Sequence, residues 1–180
     1  MLIQAERSSL LIVDVQQGLA PVMAEPRRVY RGCALLMRAA VRLGVPLVVS
    51  EQYPKGLGHT VGELLELAPA GSVAEKLHFS CAADPAMLAR FQESGRKQVV
   101  IAGIEAHVCV LQSALGLKAE GFEPVVVADA CSSRTDASYQ TAMRRLAANG
   151  VEVVTVEMVI FEWLHRAGTP EFKELSALIK

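Results

Sequence analysis

Short runs of consecutive apolar residues alternate along this chain with longer segments in which apolar residues recur at helical spacing. Runs at 9–14, 46–50, 98–102, 124–128 and 151–156 predict buried β-strands, and a weaker run near 72–77 predicts a sixth. Between the first two, Val29, Cys33, Leu36, Met37 and Ala40 fall on one helical face, with Pro26 at its start and Gly44 and Pro46 at its end. Asp84-Pro85 supplies a cap and a first helical residue, followed by Met87, Leu88 and Phe91 inward and Gly95 as the stop. Tyr139, Ala142, Met143 and Leu146 mark a further helix closed by Asn149-Gly150. Strands that alternate with helices fold as β-α-β units with right-handed crossovers. The expectation is a three-layer α/β/α fold whose mainly parallel, doubly wound sheet has six strands, with residues 1–180 forming a single domain.

Composition supports that picture and narrows the function. Hydrophobic residues make up 52% of the 180 residues and aromatics 5%, as expected for strands buried on both faces. Lys and Arg number 18 against 19 acids, with both signs scattered, so no basic stripe points to nucleic acid. No apolar run approaches the roughly 20 residues of a membrane span, and the first residues lack the pattern of a signal peptide. The four cysteines show neither C-x-x-C nor zinc-finger spacing, and the expected compartment is a reducing cytoplasm. Glycine-rich phosphate cradles are missing, so no nucleotide cofactor is expected. The longest irregular stretch, 51–62, reads as a site loop or an oligomer contact. It holds too few His and acid residues for a metal, and none is expected.

In a doubly wound sheet, ligands bind beyond the carboxyl ends of the strands. Asp14, Ser50-Glu51, Lys76, Gly103 and Asp129 stand at those ends, and Cys109 follows Gly103 where a strand runs into a helix. A thiol at a helix N-terminus sees free N–H groups and the positive end of the macrodipole, which favours thiolate. An acid, a base and a thiol therefore share one rim, although periodicity alone does not bring them into contact. Plainer roles stand beside these: Asp14 as a helix cap with Gln17, Lys76 as an exposed charge beside a strand, Cys109 as a buried structural thiol. His107 and His78 offer a Cys–His dyad that no spacing rule supports. Cys33 belongs to a helix core, and Cys81 and Cys131 are undecided.

Four motifs, Leu11-Ile-Val-Asp-Val-Gln-Gln17, Glu75-Lys-Leu-His-Phe-Ser80, Gly103-Ile-Glu-Ala-His-Val-Cys109 and Asp129-Ala-Cys-Ser-Ser-Arg134, occur in this order. Together they resemble the isochorismatase-like cysteine hydrolases, the superfamily of nicotinamidase and N-carbamoylsarcosine amidase. The loop Glu51-Gln-Tyr-Pro-Lys-Gly-Leu-Gly looks most like the isochorismatase domain-containing subgroup. The resemblance implies a catalytic triad of Asp14, Lys76 and Cys109. It also implies a cis peptide between Ile104 and Glu105, and an oxyanion hole from the N–H groups of Glu105 and Cys109. A pocket shaped by Gln16, Glu51, Tyr53, Phe79 and His107 is expected, with a Cys109 thiol that titrates below the ~8.5 of a free cysteine.

Two departures sharpen the expectation. Nicotinamidases of the family hold a metal through an Asp-x-His pair after the second strand, where this chain has Ser50-Glu51-Gln52-Tyr53. Enzymes that hydrolyse isochorismate, a vinyl ether, typically lack the nucleophilic cysteine. The expected activity is cleavage of a small amide, ureide or carbamoyl C–N bond through a thioester, without cofactor. Its rivals are isochorismate-type ether hydrolysis and a non-catalytic, redox-responsive protein with an oxidisable Cys109. A homo-oligomer is expected from the apolar stretch 158–164 and from the family's habit.

Overall fold

In the computed structural model, which describes residues 1–179, six parallel strands lie in the order β3-β2-β1-β4-β5-β6. They are β1 (Ser8–Val13), β2 (Leu47–Gln52), β3 (Val73–Lys76), β4 (Gln98–Gly103), β5 (Glu123–Cys131) and β6 (Glu152–Val154). Every strand pair is parallel. The helices are α1 (Pro26–Leu43), α2 (Pro54–Leu57), α3 (Gly62–Leu65), α4 (Pro85–Glu93), α5 (Leu111–Ala119), α6 (Asp136–Ala148), α7 (Val156–Leu164) and α8 (Pro170–Ile179).

Successive strand residues point to opposite faces, and here both faces are covered. Leu10, Ile12, Val100 and Val127 pack with α1, α7 and α8, whereas Leu11, Val13, Val99, Ile101 and Val126 pack with α4, α5 and α6. The three-layer expectation holds. Local signals also act as read: Gly44 ends α1 at φ 67°, and Asp84 accepts from the N–H groups of Ala86 and Met87.

Several bounds differ for physical reasons. β2 runs on to Gln52 because its last residues pair with Glu75 and Lys76 of β3. β6 stops at Val154 because Thr155 caps α7, its side chain accepting from the Met158 N–H. The last helix, α8, escapes the periodic pattern because Leu175 is its one fully buried side chain among the described residues. The apolar 158–164 stretch mostly serves the core, where Trp163 donates from its indole N–H to Ser8 Oγ at 3.1 Å. Met158 and Phe161 remain exposed.

Sheet order reverses between β1 and β4, the two strands that deliver Asp14 and Cys109. Gly103 makes their close approach feasible. Its φ is +117°, and a Cβ there would fall 2.2 Å from the Val13 carbonyl oxygen.

Candidate active site

The chain leaves β1 at Asp14 with φ 50°, a left-handed conformation that Asp tolerates better than most residues. Its carboxylate is fully buried and held from two directions. Ser50 Oγ donates to Oδ1 at 2.6 Å, and Lys76 Nζ donates to Oδ2 at 2.8 Å. Lys76 ends β3 and reaches across β2, and both charged side chains are shut off from solvent. A second donation from Lys76 Nζ, at 2.7 Å, goes to Gln52 Oε1. Two plainer roles are thereby corrected: Asp14 caps no helix, and Lys76 is no exposed charge, because a buried ion must be paired to persist.

Beyond β4 the peptide between Ile104 and Glu105 is cis. Residues Ala106–Val110 then form a π-helical turn that leads into α5. Cys109 therefore sits in a widened turn before α5 rather than in the first turn of a regular helix. Cys109 is 5% exposed, and its thiol is close enough to the Asp14 carboxylate for each group to shift the other's titration. The segment just after β5 braces this loop. Ser132 O accepts from the Ala106 N–H at 2.8 Å, and Arg134 Nε donates to Glu105 Oε2 at 2.9 Å.

Burial dominates the electrostatics. It raises the Asp14 carboxyl above the usual carboxylate range, against the opposing pull of Lys76 and Ser50. Burial first, and then the Asp14 charge, also push the Cys109 thiol up, and Lys76 offsets only part of this. The expected depression of this thiol is thus corrected, because desolvation outweighs the cation and the turn. Burial thus raises both the sulfur and the carboxylate, an arrangement suited to passing a proton between them.

The expected pocket residues separate. Gln16 is fully buried and spends its amide on backbone: Oε1 accepts from the Gln52 N–H at 2.7 Å, and Nε2 donates to Gln52 O and Gly58 O. Glu51 pins the following loop, accepting from the Thr60 N–H at 2.7 Å, the Thr60 hydroxyl at 2.8 Å and His59 Nδ1 at 2.9 Å. Burial alone would raise the Glu51 carboxyl, but these partners together hold it below its ordinary value. Both side chains are therefore scaffold. Tyr53 and Phe79 are exposed. Tyr53 lines a cavity of about 400 Å³ with Lys55, Lys76, Leu77 and His78. His107 faces Ser133 Oγ at 2.9 Å and forms no dyad with Cys109. Cys33, Cys81 and Cys131 are all buried free thiols. No cluster of three or more potential metal ligands occurs among the described residues.

The chain as a whole has counterparts among known proteins. The isochorismatase domain matches residues 8–158. The chain belongs to the isochorismatase-domain family. That places it in a hydrolase superfamily. The secreted isochorismatase effector of Phytophthora sojae is 39% identical over 178 residues, which cover 96% of this chain and 84% of that protein. Isochorismatase domain-containing protein 1 of Salmo salar is 42% identical over 145 residues, 81% of this chain but 51% of that protein, so the match spans about half of it. The MAR1 ribonuclease from Caenorhabditis elegans superposes with a TM-score of 0.93 at 33% identity, covering 99% of this chain and 92% of that one.

Against this family background, Ser50, Gln52 and Arg134 are the site residues that sequence reasoning missed. Arg134 stood inside a recognised motif without a role, and Ser50 and Gln52 lie on alternate positions of a strand end. That alternation was the one signal that could have marked them.

Proposed function

We propose that this isochorismatase-family protein is a cysteine-nucleophile hydrolase acting on a small amide, ureide or carbamoyl C–N bond. The observation that carries the reading is the buried Lys76–Asp14 bridge at 2.8 Å, with the Cys109 thiol beside its carboxylate. Asp14 takes the Cys109 proton as the sulfur attacks the carbonyl carbon, forming the C–S bond and pushing charge onto oxygen. The N–H groups of Glu105 and Cys109 receive that oxyanion, and each such donor is typically worth about 3–4 kcal/mol. Asp14 returns its proton to the leaving nitrogen as the C–N bond breaks. Water, deprotonated by Asp14, then cleaves the thioester, and the proton goes back to sulfur.

Intact-protein mass spectrometry during turnover of a panel of such compounds is expected to show an acyl adduct on Cys109. Turnover without any adduct under rapid quench would count against the thioester route. Isochorismate belongs in the panel, because the Phytophthora sojae relative is named for that activity and is 39% identical. Cleavage of isochorismate that persists in Cys109→Ala would favour ether hydrolysis instead. The ribonuclease named among the structural relatives does not redirect the reading, since a net charge of −1 with scattered basic residues supplies no phosphate track.

No role for a metal is built into this scheme. Glu51 and His59 are spent on each other and on Thr60. Activity is expected to survive EDTA, and stoichiometric zinc lost together with activity would refute this.

A cytoplasmic homo-oligomer is the proposed working form. One apolar patch joins Leu2, Met158 and Phe161, and exposed Tyr53 and Leu77 line the cavity beside the site. Light scattering at micromolar concentration is expected to report a dimer or larger, and a monomer would overturn the proposal.

A further inference from the structure

The ion pair of the site is not made by neighbouring strands. Lys76 of β3 meets Asp14 at the end of β1, and β2 lies between them. Two strand spacings come to nearly 10 Å, a distance that the long lysine stem can span only if its head is steered. β2 presents side chains alternately to opposite faces, so Ser50 and Gln52 share the face below the bridge while Glu51 points away to Thr60.

We propose that Ser50 and Gln52 are positioning residues, Ser50 for the Asp14 carboxylate and Gln52 for the Lys76 ammonium, that together hold the pair in register with the Cys109 thiol. The inference rests on the cysteine-hydrolase reading above.

Three observations carry it. Ser50 is fully buried, and its hydroxyl donates to Asp14 Oδ1 at 2.6 Å, leaving Oδ2 for Lys76. The Gln52 amide cannot reverse, because its Nε2 donates to Leu77 O at 2.8 Å, which turns Oε1 towards Lys76 Nζ. The Gln52 backbone is in turn clamped by Gln16 through 2.7 and 3.0 Å bonds. An uncharged acceptor at this place orients the ammonium without competing with Asp14 for its charge. The other titratable groups facing Asp14 are Lys76 from β3, Cys109 from the π-helical turn, and Cys81 from the 3-10 turn Cys81–Ala83.

The test is the rate at which iodoacetamide alkylates Cys109, followed at its own peptide by mass spectrometry from about pH 5 to pH 10. Its low-pH limb reports loss of a proton from the coupled Asp14–Cys109 pair. Ser50→Ala removes a donor to the carboxylate and is expected to move that limb up by roughly one pH unit. Ser50→Thr keeps the hydroxyl and is expected to restore the parental limb. Gln52→Glu adds a carboxylate that shares Lys76, and the limb is again expected to rise. A merely structural role would change the melting temperature or the plateau rate and leave the limb in place. Parental limbs in both Ser50→Ala and Gln52→Glu, together with a limb displaced by Asp14→Asn, would overturn this inference alone. A limb left at its parental position by Asp14→Asn would overturn the cysteine-hydrolase reading beneath it.

Discussion

Cys109→Ala is expected to lower turnover by on the order of 10⁴-fold or more, while the protein stays folded. The size follows from the proposed chemistry, because without sulfur no C–S bond forms and no thioester splits the reaction into two easier steps. Stability changes little because alanine removes only one sulfur atom and leaves the rest of this small side chain in its cluster. Steady-state rates on the best substrate of the panel, beside a melting curve, check both halves. Asp14→Asn is expected to fall nearly as far, since residues that act as a unit fail together. Turnover within tenfold of wild type in Cys109→Ala, with the fold intact, would remove the nucleophile from the account. The ether-hydrolysis reading, which needs no thiol, would then stand in its place.

Lys76→Met is expected to produce the largest loss of stability of any single change at the site. It leaves Asp14 buried with the Ser50 hydroxyl but no countercharge, a situation that typically costs about 3–5 kcal/mol. The loss should depend on pH in a definite direction. The folded Asp14 already binds its proton more tightly than an ordinary carboxyl, and Lys76 is the main influence holding that value down. A group raised in the fold contributes its full stability below its unfolded value, near about pH 3.9, and loses it as pH rises through the folded value. Removing Lys76 raises the folded value further and widens that window. The deficit of Lys76→Met against wild type should therefore be small near pH ~4 and grow towards neutrality. Urea titrations across this range measure it. Adding Asp14→Asn should remove most of the pH dependence, and a deficit that stays flat with pH would show that the two residues are not coupled in this way.

Parts of the site were legible in the chain and others were not. Asp14, Lys76 and Cys109 could be put on one rim, because each stands at or just after the end of an apolar run. Their contact could not be read, since the Lys76–Asp14 bond joins residues 62 positions apart and no periodicity reports such a pairing. Glu51, which opens the irregular stretch, and Gln16, within the first motif, were expected to help shape the pocket. Their hydrogen bonds to Thr60, Gln52 and Gly58 make them the fastening of that loop instead. The thiol was expected to be acidic from its place near a helix start, but burial beside a carboxylate reverses the sign.

By itself the sequence determined the architecture. Continuous apolar strands can be satisfied only by a sheet covered on both faces, and caps such as Asp84 and stops such as Gly44 act within a few residues of themselves. The four motifs also carried the family. Only the tertiary structure decided which side chains meet. Desolvation and hydrogen-bond partners are properties of surroundings, and those of Asp14 are assembled from β1, β2, β3 and the turn before α5.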